Sequence, residues 1–198
     1  MWYGMVPRKG GCLVTTLAAI QGKGWCVIGA DAQFVDDTRS YVTPKAAGKI
    51  FKTKGYIVAV CGELRPLQII QHHMVFSEPT RSEPAELDKF MAVDFIPSLR
   101  EALKSEEYIW DKDTAWTIMV AVKGTIYLVD QDLTWTRDER GMYGEGTGGD
   151  VALGVLASAK FPATSAAAKL LVQKAVMIAS NYDVNTKPPI SLYVQDNK

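Results

Sequence analysis

The chain has 198 residues, 22 basic and 22 acidic side chains, a formal net charge of zero and a hydrophobic fraction of 47%. That composition supports a real core in one large domain. Balanced charge without a basic stripe argues against nucleic acid as a partner, because phosphate binding needs clustered cations. The three cysteines, Cys12, Cys26 and Cys61, are odd in number and lack CxxC spacing, which points to a reduced, cytoplasmic setting rather than a disulfide framework. No apolar run approaches the ~20 residues that span a membrane. Residues 1–11 carry Arg8 and Lys9 but lack the apolar stretch of a secretory signal.

In chain order, Val14-Thr15-Thr16-Leu17 opens an apolar strand, Gln21-Gly22-Lys23-Gly24 turns it, and Trp25-Cys26-Val27-Ile28 returns toward Asp31. This hairpin brings Asp31 back beside Thr15. Phe34 to Pro44 reads as polar and irregular. A second hairpin joins Lys49-Ile50-Phe51-Lys52 to Tyr56-Ile57-Val58-Ala59-Val60 through Lys54-Gly55. Pro66 suits a first helical turn before Leu67-Gln68-Ile69-Ile70. Residues 77–84 form a loop, and a helical region from Ala85 to Ser105 is expected to break near Pro97. Residues 116–122 and 125–130 make a third hairpin across Lys123-Gly124, followed by short strands near Trp135 and Met142.

Asp150 to Phe161 reads as a helix stopped by Pro162. A second helix follows from Thr164, with Ala168, Leu171, Val172 and Ala175 on one stripe, continued by Ile178, Ala179 and Tyr182. Asp183 to Pro189 is a loop and residues 190–194 a last strand. Hairpins imply antiparallel sheets, and the helices come in consecutive pairs. The expected fold is therefore α+β: two antiparallel sheets covered by helix pairs.

Thr15 and Thr16 alone are ordinary strand residues. With a free α-amine, however, Thr15 would supply both a hydroxyl nucleophile and the base that takes its proton. Other chemistries fit less well. Residues 144–149 match G-x-G-x-x-G, but position 169 is Lys and a second helix follows the first, so a dinucleotide site is rejected. No Gly-Lys-Ser/Thr exists for a P-loop. His72 and His73 are adjacent on a helix and diverge by about 100°, so they make neither a metal site nor a His-based triad. Asp36-Asp37 and Asp130-Gln131-Asp132 read as solvated turns.

Together, the segments from Val14 to Val194 resemble the proteasome β-type peptidases, including the bacterial HslV peptidase subunit. The resemblance implies the four-layer αββα fold of N-terminal-nucleophile hydrolases, and its compact, divergent character suits a bacterial or bacteriophage member. It places the nucleophile at Thr15 and the carboxylate ending the second strand at Asp31, 16 residues on. The lysine of a Lys-Ile pair falls at Lys49, with Lys45 as rival. The strand whose backbone N–H forms the oxyanion hole resembles Ala59-Val60-Cys61-Gly62, with Ala59 and Val60 as the expected donors. The family's Gly-Ser-Gly turn and Asp-x-x-Ser element resemble Gly146-Thr147-Gly148 and Asp183-Val184-Asn185-Thr186. Thr147, Asp183 and Thr186 would orient the amine and relay protons.

The reaction implied by this resemblance is amide hydrolysis through an acyl-Thr15 intermediate, with no metal or cofactor. The substrate would be a peptide or unfolded protein, and the subunits would form a homo-oligomeric ring, served by an unfoldase ATPase. A catalytically inactive ring-forming scaffold is the alternative reading. Fourteen residues precede Thr15. Residues 1–14 read as a self-cleaving propeptide, a leader removed by another protease, or a mis-assigned start at Val14; relatives that begin Met-Thr-Thr favour the last. Residues 15–198 are then one domain. Cys12 ranks below Thr15 as nucleophile, being three residues too far from Asp31.

Overall fold

The computed structural model describes residues 15–36, 39–44, 48–108 and 115–196. Val14, Cys12 and the rival Lys45 lie outside the described residues. One sheet comprises β1 (Leu17–Gly22), β2 (Trp25–Asp31), β10 (Met142–Glu145) and β11 (Ile190–Asp196), in the order β10-β1-β2-β11. The other comprises β5 (Ile50–Thr53), β6 (Tyr56–Gly62), β7 (Trp116–Val122), β8 (Thr125–Asp130) and β9 (Trp135–Thr136), in chain order. Every pairing in both sheets is antiparallel. The turns at Lys54-Gly55 and Lys123-Gly124 have positive φ at both residues, the geometry that matches strand twist in two-residue hairpins.

Because side chains alternate along a strand, β1 feeds two cores at once. Leu17 and Ala19 join Ile28, Ile57, Ala59 and Met119 between the sheets, whereas Ala18 and Ile20 face the helices. Those helices are α4 (Gly149–Ser158) and α5 (Ser165–Tyr182), which cover the first sheet. Thr164 caps α5 by accepting the Ala167 N–H at 3.2 Å. Its buried stripe is Ala168, Val172, Ala175, Val176 and Ala179; Tyr182, expected on that stripe, is 78% exposed. On the outer face of the second sheet, α1 (Arg65–His73), α2 (Pro84–Phe90) and α3 (Ile96–Ser105) bury Leu67, Leu87, Leu99 and Leu103. Each such side chain contributes on the order of 2 kcal/mol by leaving water.

Two local expectations change. Phe34 to Pro44 is not irregular: β3 (Gln33–Asp36) and β4 (Arg39–Val42) form a separate two-stranded hairpin. Residues 84–105 do not break at Pro97. A single wide turn, Met91–Phe95, links α2 to α3, with Ile96 N–H reaching back to the Met91 carbonyl. A wide turn in front of proline absorbs the missing donor without ending the helix.

The sandwich is closed at its hairpin tips. Gln21 Oε1 accepts the Ile126 N–H at 2.6 Å, and the buried Gln195 accepts from Gly124 N–H at 2.5 Å while donating to the Gly55 carbonyl. The opposite end, where β1 begins and β2 and β6 finish, carries the candidate site.

Candidate active site

Thr15 and Thr16 precede β1 and are buried, at 2% and 0% exposure. Asp31, the last residue of β2, is equally buried, and an ionised carboxylate there needs donors on both oxygens. It has four. Oδ1 accepts the Thr16 N–H at 2.9 Å and the Lys49 ammonium at 2.8 Å. Oδ2 accepts the Gln33 N–H at 2.9 Å and the Lys187 N–H at 3.3 Å. Asp31 thus ties together the segment entering β1, the residue before β5, the start of β3 and the loop before β11.

Lys49 is itself buried. Burial pushes its ammonium below the ordinary lysine range, with the charge and hydrogen bond of Asp31 opposing that shift and Cys61 and Asp183 adding to the opposition.

A second chain of contacts starts at Thr16. Its hydroxyl lies 2.5 Å from that of Thr186, which donates to Asp183 Oδ2 at 2.6 Å. Thr186 has one hydroxyl proton, so Thr16 is the donor in the first contact. Thr147 donates to the same Asp183 oxygen at 2.7 Å. The turn from β10 to α4 is pressed against this chain. A Cβ on Gly148 would lie 2.1 Å from Thr16 Oγ1, and one on Gly146, where φ is +88°, would lie 2.0 Å from the Thr15 carbonyl oxygen. Only glycine allows both approaches.

Five of the side chains singled out from the sequence, Asp31, Lys49, Thr147, Asp183 and Thr186, are therefore brought together around Thr16 at one end of the sandwich, and Thr15 is its chain neighbour, with its carbonyl against Gly146. Two refinements concern backbone and partner. The expected donors Ala59 and Val60 are spent on the sheet: Val60 N–H bonds the Lys49 carbonyl at 3.0 Å, and Ala59 lies opposite Met119 on the other edge. N–H groups alternate between the edges of a strand, so Gly62 is the next to point toward the β5 side, beyond Lys49 where that edge ends. The chain of hydrogen bonds from Asp183 ends on the hydroxyl of Thr16, a residue to which the sequence pattern assigns no role although it is half of the conspicuous threonine pair. The backbone donors of Gln33 and Lys187 leave no signature in side-chain patterns.

Among the described residues, no group of three or more His, Cys, Asp or Glu is arranged to hold a metal. His73 contacts Glu106 at 2.8 Å on the exposed side of α1, and no described helix is long and apolar enough to cross a membrane.

Neither a scan against protein-family models nor a search of curated proteins finds a match. Solved structures do match. Thiobacillus denitrificans BPH is 20% identical with a TM-score of 0.73, over 93% of this chain and 99% of that one. Its complex with epoxomicin is 21% identical with a TM-score of 0.74, over 93% and 100%. Eukaryotic HslV from Trypanosoma brucei is 17% identical with a TM-score of 0.62, over 92% and 99%. At these identities the likeness is one of fold, and the chain has the αββα architecture of N-terminal-nucleophile hydrolases.

Proposed function

We propose that the chain is a threonine peptidase that hydrolyses peptide bonds through Thr15. The observation that carries this reading is the buried Asp31–Lys49 ion pair, 2.8 Å long, whose carboxylate also binds the N–H of the residue after Thr15. Burying a carboxylate and an ammonium costs desolvation even when they are paired, and such buried, perturbed groups concentrate at functional sites, which supports a role for this pair at the adjacent threonines.

The working form begins at Thr15. Its α-amine takes the proton of its own hydroxyl as Oγ attacks the substrate carbonyl, and the Gly62 N–H donates to the developing oxyanion. The ammonium so formed protonates the leaving nitrogen, and the peptide bond breaks to give an ester on Thr15. Water then attacks that ester with the amine again as base. The acyl–Oγ bond breaks, the carboxylic acid product leaves, and the ammonium returns its proton to Thr15 Oγ. The Lys49 charge draws the pKa of the amine toward neutrality, and Asp31 fixes the lysine. Asp183, Thr186, Thr16 and Thr147 hold the polar surround of the amine. By the same resemblance, copies assemble into a ring that takes unfolded chains, served by an unfoldase ATPase.

The test is hydrolysis of fluorogenic peptides by protein whose first residue is Thr15. Cleavage abolished by Thr15→Ala is the expected result. No cleavage by that form favours the inactive scaffold.

A further inference from the structure

Glu145 ends β10 directly opposite Leu17, two residues from Thr15. Alternation puts it on the same face as Tyr143, which is buried between the sheets. The carboxylate is therefore turned into the inter-sheet gap at its Thr15 end. It occupies the β10 side of Thr15, whereas Asp31 lies on the β2 side, because β1 separates those strands. The following residue, Gly146, is pressed on the Thr15 carbonyl, which fixes the distance between this strand end and the site.

Glu145 lines an open cavity of about 410 Å³ along the β10 edge, with Leu128 and Tyr143 as apolar wall on the inter-sheet side and Met142 and Leu153 on the α4 side. The arginine at its rim is already committed: Arg137 holds Asp88 through two contacts of 2.9 and 3.0 Å. Asp138 at the rim is likewise taken by Arg140, and Glu139 is solvent-exposed. Glu145 is only partly exposed, and among the described residues no hydrogen bond or ion pair engages its carboxylate.

We propose that this cavity is a specificity subsite for a lysine or arginine side chain flanking the scissile bond, with Glu145 meeting the charge and the apolar wall packing the methylene stem. The proposal rests on the peptidase reading above. Long cationic side chains suit such a site because stem and head have opposite preferences. The electrostatics agree: burial first, then the charges of Asp130 on β8 and Asp150 on α4, push the Glu145 carboxyl up to about 7. A guest cation opposes all three effects.

Two measurements test this. Carboxyl-labelled glutamate in the full chain is titrated by carbon NMR with N-acetyl-arginine methylamide or N-acetyl-norleucine methylamide, Glu145 being assigned by the signal lost in Glu145→Gln. The arginine probe should lower the Glu145 midpoint saturably by about one pH unit, as a close opposite charge does. The norleucine probe should leave it unchanged. No saturable shift, or equal shifts with both probes, overturns the proposal. In peptide hydrolysis, kcat/KM for substrates with Lys or Arg beside the cleaved bond should exceed that for Leu roughly tenfold, as expected for a part-buried charge pair. Glu145→Gln should abolish that preference, bringing kcat/KM for Lys and Arg substrates down to that for Leu. Cleavage without a cationic preference overturns the subsite and leaves the peptidase reading standing. If no peptide is cleaved, the peptidase reading falls, and the NMR titration alone decides what the cavity accepts.

Discussion

The hydroxyl of Thr16 lies 2.5 Å from that of Thr186, 170 residues further along the chain. This contact joins the segment that opens β1 to the loop after α5, and through Asp183 it reaches Thr147 as well. Removing the middle member breaks the chain without touching Thr15. Thr186→Val, which keeps the shape, should lower kcat by one to two orders of magnitude with little change in KM. It should also cost about 1–3 kcal/mol in denaturant unfolding, since buried hydroxyl partners are left unpaired. Thr186→Ser should restore most of both.

Glycine substitutions separate close approach from mere helix content. Gly148→Ala sets a methyl group 2.1 Å from Thr16 Oγ1, so activity should collapse and the melting temperature fall. Gly154→Ala, in α4 with nothing within 4 Å of the added carbon, should raise stability by about 0.5–1 kcal/mol and leave activity alone. Thermal melts and peptide assays on the two variants are sufficient.

The two members of the buried pair should respond unequally. Asp31→Asn leaves the Lys49 ammonium buried without its anion and should cost about 3–5 kcal/mol. Lys49→Met leaves Asp31 with three N–H donors and removes a charge that burial already disfavours, so its cost should be smaller, about 1–2 kcal/mol. Both should abolish hydrolysis. The sign of the pH effect is set by the lowered Lys49 pKa. Between that value and the ordinary 10.5, the unfolded chain binds the extra proton, so stability rises with pH across the window. Urea unfolding of Lys49→Met should lack that rise.

Much of this arrangement is legible in the sequence because it is written in local signals. Two-residue turns at Lys54-Gly55 and Lys123-Gly124 announce hairpins, and the threonine pair with Asp31 marks where the first hairpin closes. The β3–β4 hairpin is not legible: β4 is exposed throughout, so no alternation of apolar residues betrays it. The helix through Pro97 survives because one wide turn spares the missing donor, a backbone adjustment with no composition of its own. Ala59 and Val60 resemble oxyanion donors by residue size, but ladder register decides which N–H groups are spent, and register is a pairing between distant segments. The part played by Thr16 is hidden for the same reason, since its partner Thr186 is brought near only by the fold.

Glu145 makes a prediction with the opposite sign to that of Lys49. Its carboxyl is raised from 4.5 to about 7, so between those values the folded chain holds a proton that the unfolded chain has lost. This contribution is full below pH 4.5 and fades as pH rises through 7. Glu145→Gln should therefore gain stability relative to the parent on going from pH 5 to pH 8, on the order of 1–3 kcal/mol, the lower figure reflecting partial solvent screening. Parallel urea curves at the two pH values check it.

The proposed peptidase reading requires Thr15 to act with its own unblocked amine. The direct measurement is intact-mass and peptide mapping of hydrolytically active protein after reaction with an epoxyketone electrophile. An adduct on Thr15 in molecules whose first residue is Thr15, and none in Thr15→Ala, is the predicted result. Full activity in molecules that still carry residues 1–14, or an adduct at any other residue, would contradict it.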